Sequence, residues 1–126
     1  HPSDMNFIYS TWLKGLRYGN DWFGFITKEA YYTCYHRIIE LILAKPTTHV
    51  LVACLATDPD VMLGYSVQEG SILHWIFVKS AWRKIGIAND LILNQEPFQS
   101  VSHITDLAKS ILMTKFPNVE FNPFIT

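Results

Sequence analysis

Arg83, Gly86 and Ala88 stand in the pattern Arg-x-x-Gly-x-Ala, inside the stretch Val78-Lys79-Ser80-Ala81-Trp82-Arg83-Lys84-Ile85-Gly86-Ile87-Ala88-Asn89. The apolar run Ile72 to Val78 before it reads as a buried strand, and Ile87 to Leu93 reads as the opening of a helix. A strand, a turn rich in free N–H groups and a helix N-terminus together can hold an anion, usually a phosphate. The Arg83 side chain, Lys84 and the amides of residues 84–88 would converge where a diphosphate is neutralised. Gly86 and Ala88 are small where backbone must approach a ligand closely. The spacing is neither Gly-x-Gly-x-x-Gly nor a P-loop ending in Gly-Lys-Ser/Thr. A Gly and an Ala near a helix start also ease plain helix–sheet packing, so the surrounding elements decide what the motif means.

Those elements are legible from hydrophobic spacing. Phe7, Ile8, Trp12, Leu13 and Leu16 recur at helical steps over residues 4–17, with Asp4 as N-cap. Tyr18-Gly19-Asn20-Asp21 ends that helix, because Gly and Asn accept the left-handed conformation. The loop from Asp21 to Phe25 is aromatic, with Trp22, Phe23 and Phe25. Thr27 caps a second helix to about Ala44, with Tyr31, Tyr35, Ile38, Ile39 and Ile42 on one side, and Lys45-Pro46 stops it. His49 to Ala56 is nearly all apolar, as in a strand covered on both faces. Asp58-Pro59-Asp60 reads as a turn, Val61 to Val67 as the returning strand, and Glu69-Gly70-Ser71 as the next turn into Ile72 to Val78. Beyond the motif come a break at Pro97 and a short strand from Val101 to Thr105. A helix then runs from Asp106 to Lys115, with Leu107, Ile111 and Leu112 inward, and a last strand from Val119 to Ile125.

Composition narrows the function classes. The 126 residues make one domain, and 49% hydrophobic content with 14% aromatics excludes a disordered chain. Ten basic and eleven acidic residues give a formal charge of −1, without the basic excess of a nonspecific nucleic-acid binder. No apolar run reaches the roughly 18–20 residues of a membrane span, and no secretory leader is expected from the N-terminal residues. Cys34 and Cys54 sit in apolar contexts and read as buried reduced thiols, consistent with a cytoplasmic protein. Cys34-x-His36 lacks paired metal-ligand spacing, so no metal site is expected.

The motif and the order helix, helix, three strands, helix, strand, helix, strand resemble the GNAT superfamily of acyl-CoA-dependent N-acetyltransferases. The pyrophosphate loop of that family reads Gln/Arg-x-x-Gly-x-Gly/Ala, and Arg83, Gly86 and Ala88 fill its three positions. The likeness spans nearly the whole chain in element order and about 15 residues in specific sequence. Across the Trp12 and Asn122-Pro123 regions the chain is similar to small members from tailed phages and their bacterial hosts. His1-Pro2-Ser3-Asp4-Met5-Asn6-Phe7-Ile8 looks like the later part of the segment after the first family strand, which implies that this strand is truncated here.

The resemblance implies an α+β fold of three layers, with a mixed, mostly antiparallel central sheet flanked by helices. It implies acetyl-CoA as co-substrate, cradled by Arg83, Lys84, Ile85, Gly86, Ile87 and Ala88. Main-chain groups of Phe77 and Val78, facing His103 and Ile104 across a splay between strands, would pair with the pantetheine arm. The acetyl thioester would lie beside the splay, where an N–H near Phe77 or Val78 polarises its carbonyl. The reaction is direct transfer to a primary amine, either a protein lysine or N-terminus or a small amine, without a protein nucleophile.

The proton-handling groups depart from the family pattern. No Glu stands on the strand before the loop; His74 is its titratable side chain, sharing a face with Ile72, Ile76 and Val78 by alternation, and Glu69 lies just upstream. His74 reads either as a base or as a structural, hydrogen-bonded group, and Glu69 either as a base or as a solvated turn residue. Residues 106–116 hold no Tyr to serve as general acid, and Ser110 is the nearest hydroxyl. The resemblance implies an acceptor pocket at Asp21, Trp22 and Phe23, with residues 121–124, although these aromatics also suit a core. The alternative is a GNAT-fold binding or inhibitory protein that keeps CoA and lacks turnover. A small α+β interaction domain without a CoA site is the third reading. The expected partners are acetyl-CoA and an amine, with no membrane or nucleic acid, in a monomer or homodimer.

Overall fold

In a computed structural model the chain forms helices α1 (Pro2–Tyr18), α2 (Lys28–Ala44) and α3 (Asp106–Lys115). Its strands are β1 (Thr48–Leu55), β2 (Asp58–Glu69), β3 (Ile72–Val78), β4 (Ser100–Val101) and β5 (Glu120–Phe121), with 3-10 turns at Asp21–Phe25 and Ser80–Trp82. The structure describes residues 2–83, 87, 91, 97–116 and 118–123, without the side chains of 2, 3, 107 and 110–113. The five strands lie in chain order; β1–β2 and β2–β3 are antiparallel, whereas β3–β4 and β4–β5 are parallel. The architecture is α+β with a mixed sheet. No helix among the described residues is long and apolar enough to cross a membrane.

Helices α1 and α2 cover one face of β2 and β3. Ile8, Trp12, Leu13 and Leu16 of α1 and Tyr31, Ile39 and Ile42 of α2 bury themselves against Tyr65, Val67 and Trp75. Trp12 stacks on Trp75 with ring centroids 6.0 Å apart. A second cluster, Leu73, Val101 and Ile104 with Ala108, Phe116 and Phe121 beside them, seats α3 and β5. Thr27 caps α2 as its position predicts, its Oγ1 accepting from the Ala30 N–H at 3.2 Å.

Several boundaries differ from the sequence reading, each for a physical reason. Helix α1 starts at Pro2, whose missing N–H costs nothing in a first turn, so Asp4 lies inside that turn instead of capping it. Its end needs no left-handed residue: Asn20 is extended at φ −138°. Gly19 is required by proximity, because a Cβ there would overlap Cγ2 of Thr105. The aromatic loop is a 3-10 turn that buries Phe23. Strand β1 is an edge strand, and His49, Val50, Val52 and Cys54 are exposed, so it is not covered on both faces. Both cysteines are free and exposed, not buried.

The first hairpin turns at Ala56–Thr57, so Asp58-Pro59-Asp60 already belongs to β2. Gly70 makes the second turn with φ +55°, a left-handed conformation suited to glycine. Strand β4 ends at Val101 where the pattern predicts Thr105, and β5 is limited to Glu120–Phe121. The inward set Leu107, Ile111 and Leu112 and the far end of the last predicted strand lie outside the described side chains and residues.

Candidate functional site

Strands β3 and β4 pair only at Ile72–Ser100 and Leu73–Val101, with Ser102 N–H donating to Leu73 O at 3.1 Å. Beyond that point β3 continues to Val78 while residues 102–105 turn away. The end of α1 draws them off. The buried Asn20 side chain donates from Nδ2 to Ile104 O at 3.0 Å and to Leu16 O at 2.9 Å. Asp106 N–H donates to Gly19 O at 2.9 Å, and the missing Cβ of Gly19 lets Thr105 sit against it. Thr105 then caps α3, accepting at Oγ1 from the Ala108 N–H.

The divergence leaves a cavity lined by Leu73, Trp75 and Ile76 on one wall and His103, Ile104 and Thr105 on the other. About 50 Å³ of it is reachable by the centre of a water molecule. One water needs roughly 10–15 Å³ on that measure, so the space has room for a small group of a few heavy atoms and not for a nucleotide. The resemblance implies a splay with Phe77 and Val78 opposite His103 and Ile104, and β3 and β4 part beyond Leu73. The cavity, however, is lined by Trp75 and Ile76 rather than by Phe77 and Val78.

His74 and Glu69 come together, and two further residues join them. The β2–β3 register slips by one between Val67 and Gln68, which leaves His74 as the extra residue of a β-bulge. A bulge re-aims a side chain and breaks alternation, so His74 does not simply continue the face of Ile76 and Val78. It is fully buried, with Nε2 at 3.0 Å from Glu69 Oε1 and Nδ1 at 2.6 Å from Ser102 Oγ. Ser102 Oγ also lies 2.7 Å from Nδ1 of His103. Glu69 is held by Thr47 Oγ1 at 3.0 Å and Lys45 Nζ at 3.4 Å.

The environment fixes charges along this row. The His74 hydrogen bond, then those of Thr47 and Lys45, outweigh partial burial and hold the Glu69 carboxyl below its ordinary range. Burial lowers His74 in spite of Glu69, so its imidazole is neutral. Burial, with His74 nearby, pushes His103 down to about 4. A carboxylate only accepts, so neutral His74 donates from Nε2 and accepts at Nδ1. Ser102 must then give its proton to His74 and take a hydrogen bond from His103 Nδ1–H. That leaves His103 Nε2 as a lone-pair nitrogen, on a residue that lines the cavity.

The remaining expected site residues divide. Arg83 is exposed just after the 3-10 turn, its Nε donating to Val78 O at 2.9 Å, which pins the guanidinium at the end of β3. Ile87 and Leu91 are helical, and Leu91 is buried. Lys84, Ile85, Gly86 and Ala88 lie outside the described residues, as does the Ser110 side chain. Phe23 is core, packed on Tyr31 and Tyr35, while Trp22 stacks on it half exposed and Asp21 pairs by its N–H with Asp106. None of these three lines the cavity. Ser102 and the His103 side chain are the groups that the sequence reading missed; it has both inside a strand from Val101 to Thr105 and uses His103 only through its main chain. Compared with known proteins, the chain matches no family model, no curated protein and no solved structure.

Proposed function

We propose that the chain is an acetyl-CoA-dependent N-acetyltransferase of GNAT type, moving the acetyl group directly to a primary amine. The observation that carries this reading is the divergence of β3 from β4 around a small cavity, on the strand that leads into Arg83. A splay exposes main-chain groups that can pair with an extended pantetheine arm, as an added strand would. In this reading the nucleotide lies outside the cavity, its pyrophosphate on the amides of residues 84–88 beside Arg83. The amine nitrogen attacks the thioester carbonyl carbon, the C–S bond breaks, and the thiolate takes a proton.

The test is thermal unfolding with acetyl-CoA, then thiol release with peptides and polyamines. A ligand at 100 times its dissociation constant stabilises the native state by about 2.7 kcal/mol. Gly86→Glu removes that shift by setting bulk and negative charge against the phosphates. No shift at millimolar acetyl-CoA overturns the reading. The complete burial of His74 favours one rival, a CoA-binding protein without turnover; a thermal shift without thiol release would establish it.

A further inference from the structure

We infer that Glu69, His74, Ser102 and His103 form a proton relay, from a solvent-touching carboxylate to the cavity, in which His103 Nε2 takes the amine proton and returns it to the departing thiolate. This rests on the acetyltransferase reading above. The row is continuous: 3.0 Å from Glu69 to His74, 2.6 Å from His74 to Ser102 and 2.7 Å from Ser102 to His103. Its inner groups are sealed, with His74, Ser102 and His103 all buried, while the Glu69 side chain is 20% exposed. Only its last member, His103, reaches the cavity wall. Every donor in the resting row points toward Glu69, so an incoming proton has one direction in which to move.

The step balances. The neutral amine R–NH2 bonds to the carbonyl carbon, which makes its N–H acidic. That proton passes to His103 Nε2 as His103 Nδ1–H moves to Ser102 Oγ, the Ser102 hydroxyl proton to His74 Nδ1, and His74 Nε2–H to Glu69. Neither imidazole is left charged, which matters because burial makes an imidazolium costly at both positions. When the C–S bond breaks, the same four shifts run backward. The thiolate is protonated from His103 Nε2 and Glu69 is again a carboxylate, giving R–NH–CO–CH3 and the free thiol. A carboxyl held below its ordinary range gives the proton back readily. One row therefore supplies both base and acid, in a chain whose α3 segment holds no Tyr for the second role.

In this scheme His103 is the catalytic residue, and Glu69, His74 and Ser102 act through it. The first test needs no ligand. Long-range proton–nitrogen NMR of the unliganded protein at neutral pH should find His74 as the Nε2–H tautomer and His103 as the Nδ1–H tautomer. The same tautomer at both positions overturns the relay.

The second test is kinetic. Glu69→Gln keeps an acceptor for His74 but removes the proton store, and Ser102→Ala opens the row. Each should lower kcat by about 10²-fold or more, with KM for acetyl-CoA within about threefold. Wild-type kcat should bow against the fraction of heavy water, because several protons move together, and the bow should vanish in Glu69→Gln. An active wild type whose two variants keep kcat overturns the relay and leaves the acetyltransferase reading standing. A wild type that neither binds acetyl-CoA nor releases thiol overturns both.

Discussion

Replacing His103 with Asn should flatten the acid side of the stability profile by an amount the structure supplies. Burial among Trp12, Tyr35 and Ser102, with His74 nearby, holds His103 at about 4 in the folded chain, whereas an unfolded His sits near 6.5. A folded value below the unfolded one means that the unfolded chain binds more protons between these limits. Stability is therefore full above about 6.5 and falls as pH drops toward about 4. From pH 7 to pH 5 the His103 contribution to the loss is about 2 kcal/mol. The lowered His74 acts in the same sense, and the lowered Glu69 extends the loss below the ordinary carboxylate range. Urea unfolding of wild type and His103→Asn at both pH values isolates the term. The Asn amide can still donate to Ser102, and its smaller packing penalty is the same at each pH and cancels. With a urea slope of about 1–3 kcal/mol per molar, the wild-type midpoint should fall by roughly 1 M more than the variant's. Equal falls in the two proteins would refute the neutral, buried assignment of His103.

Three further substitutions probe the frame that shapes the cavity. Asn20→Ala strips two hydrogen bonds from a buried side chain; it should cost about 1–3 kcal/mol in urea unfolding and weaken acetyl-CoA binding by freeing residues 104–106. Gly64→Ala places a Cβ 2.5 Å from Phe77 O; calorimetry should show a loss of about 1–3 kcal/mol as β3 is pushed aside. Tyr65→Phe deletes the hydroxyl that meets Thr11 Oγ1 at 2.8 Å and Ile8 O at 3.1 Å. It should cost about 1 kcal/mol, and in a double-mutant cycle its effect should not add to that of Thr11→Val.

Helical and strand periodicity made the element order readable, because α1, α2 and the β1–β3 meander each carry their own pattern and their contacts are local. Thr27 and Lys45-Pro46 marked the ends of α2 by capping chemistry alone. What was not readable depends on partners distant in sequence. The exposure of Val50 and Val52 follows from β1 lying at the sheet edge, which an apolar run cannot announce. Val101 to Thr105 looked like a strand until Asn20 and Gly19, some 80 residues earlier, pulled its second half toward α1. His74 was found by type and position, but its aim is set by a one-residue slip in register against β2. Ser102 and His103 meet His74 only in the fold, since no spacing in the chain links positions 28 residues apart.

The acetyltransferase proposal requires that the segment from Arg83 onward, with the splay behind it, bind acetyl-CoA. Isothermal titration of acetyl-CoA into wild type and Gly86→Glu tests it most directly, with far-ultraviolet circular dichroism confirming that both are folded. Wild type should bind saturably and one to one, and the variant should not bind. No binding by the folded wild type, or equal binding by both, would contradict it.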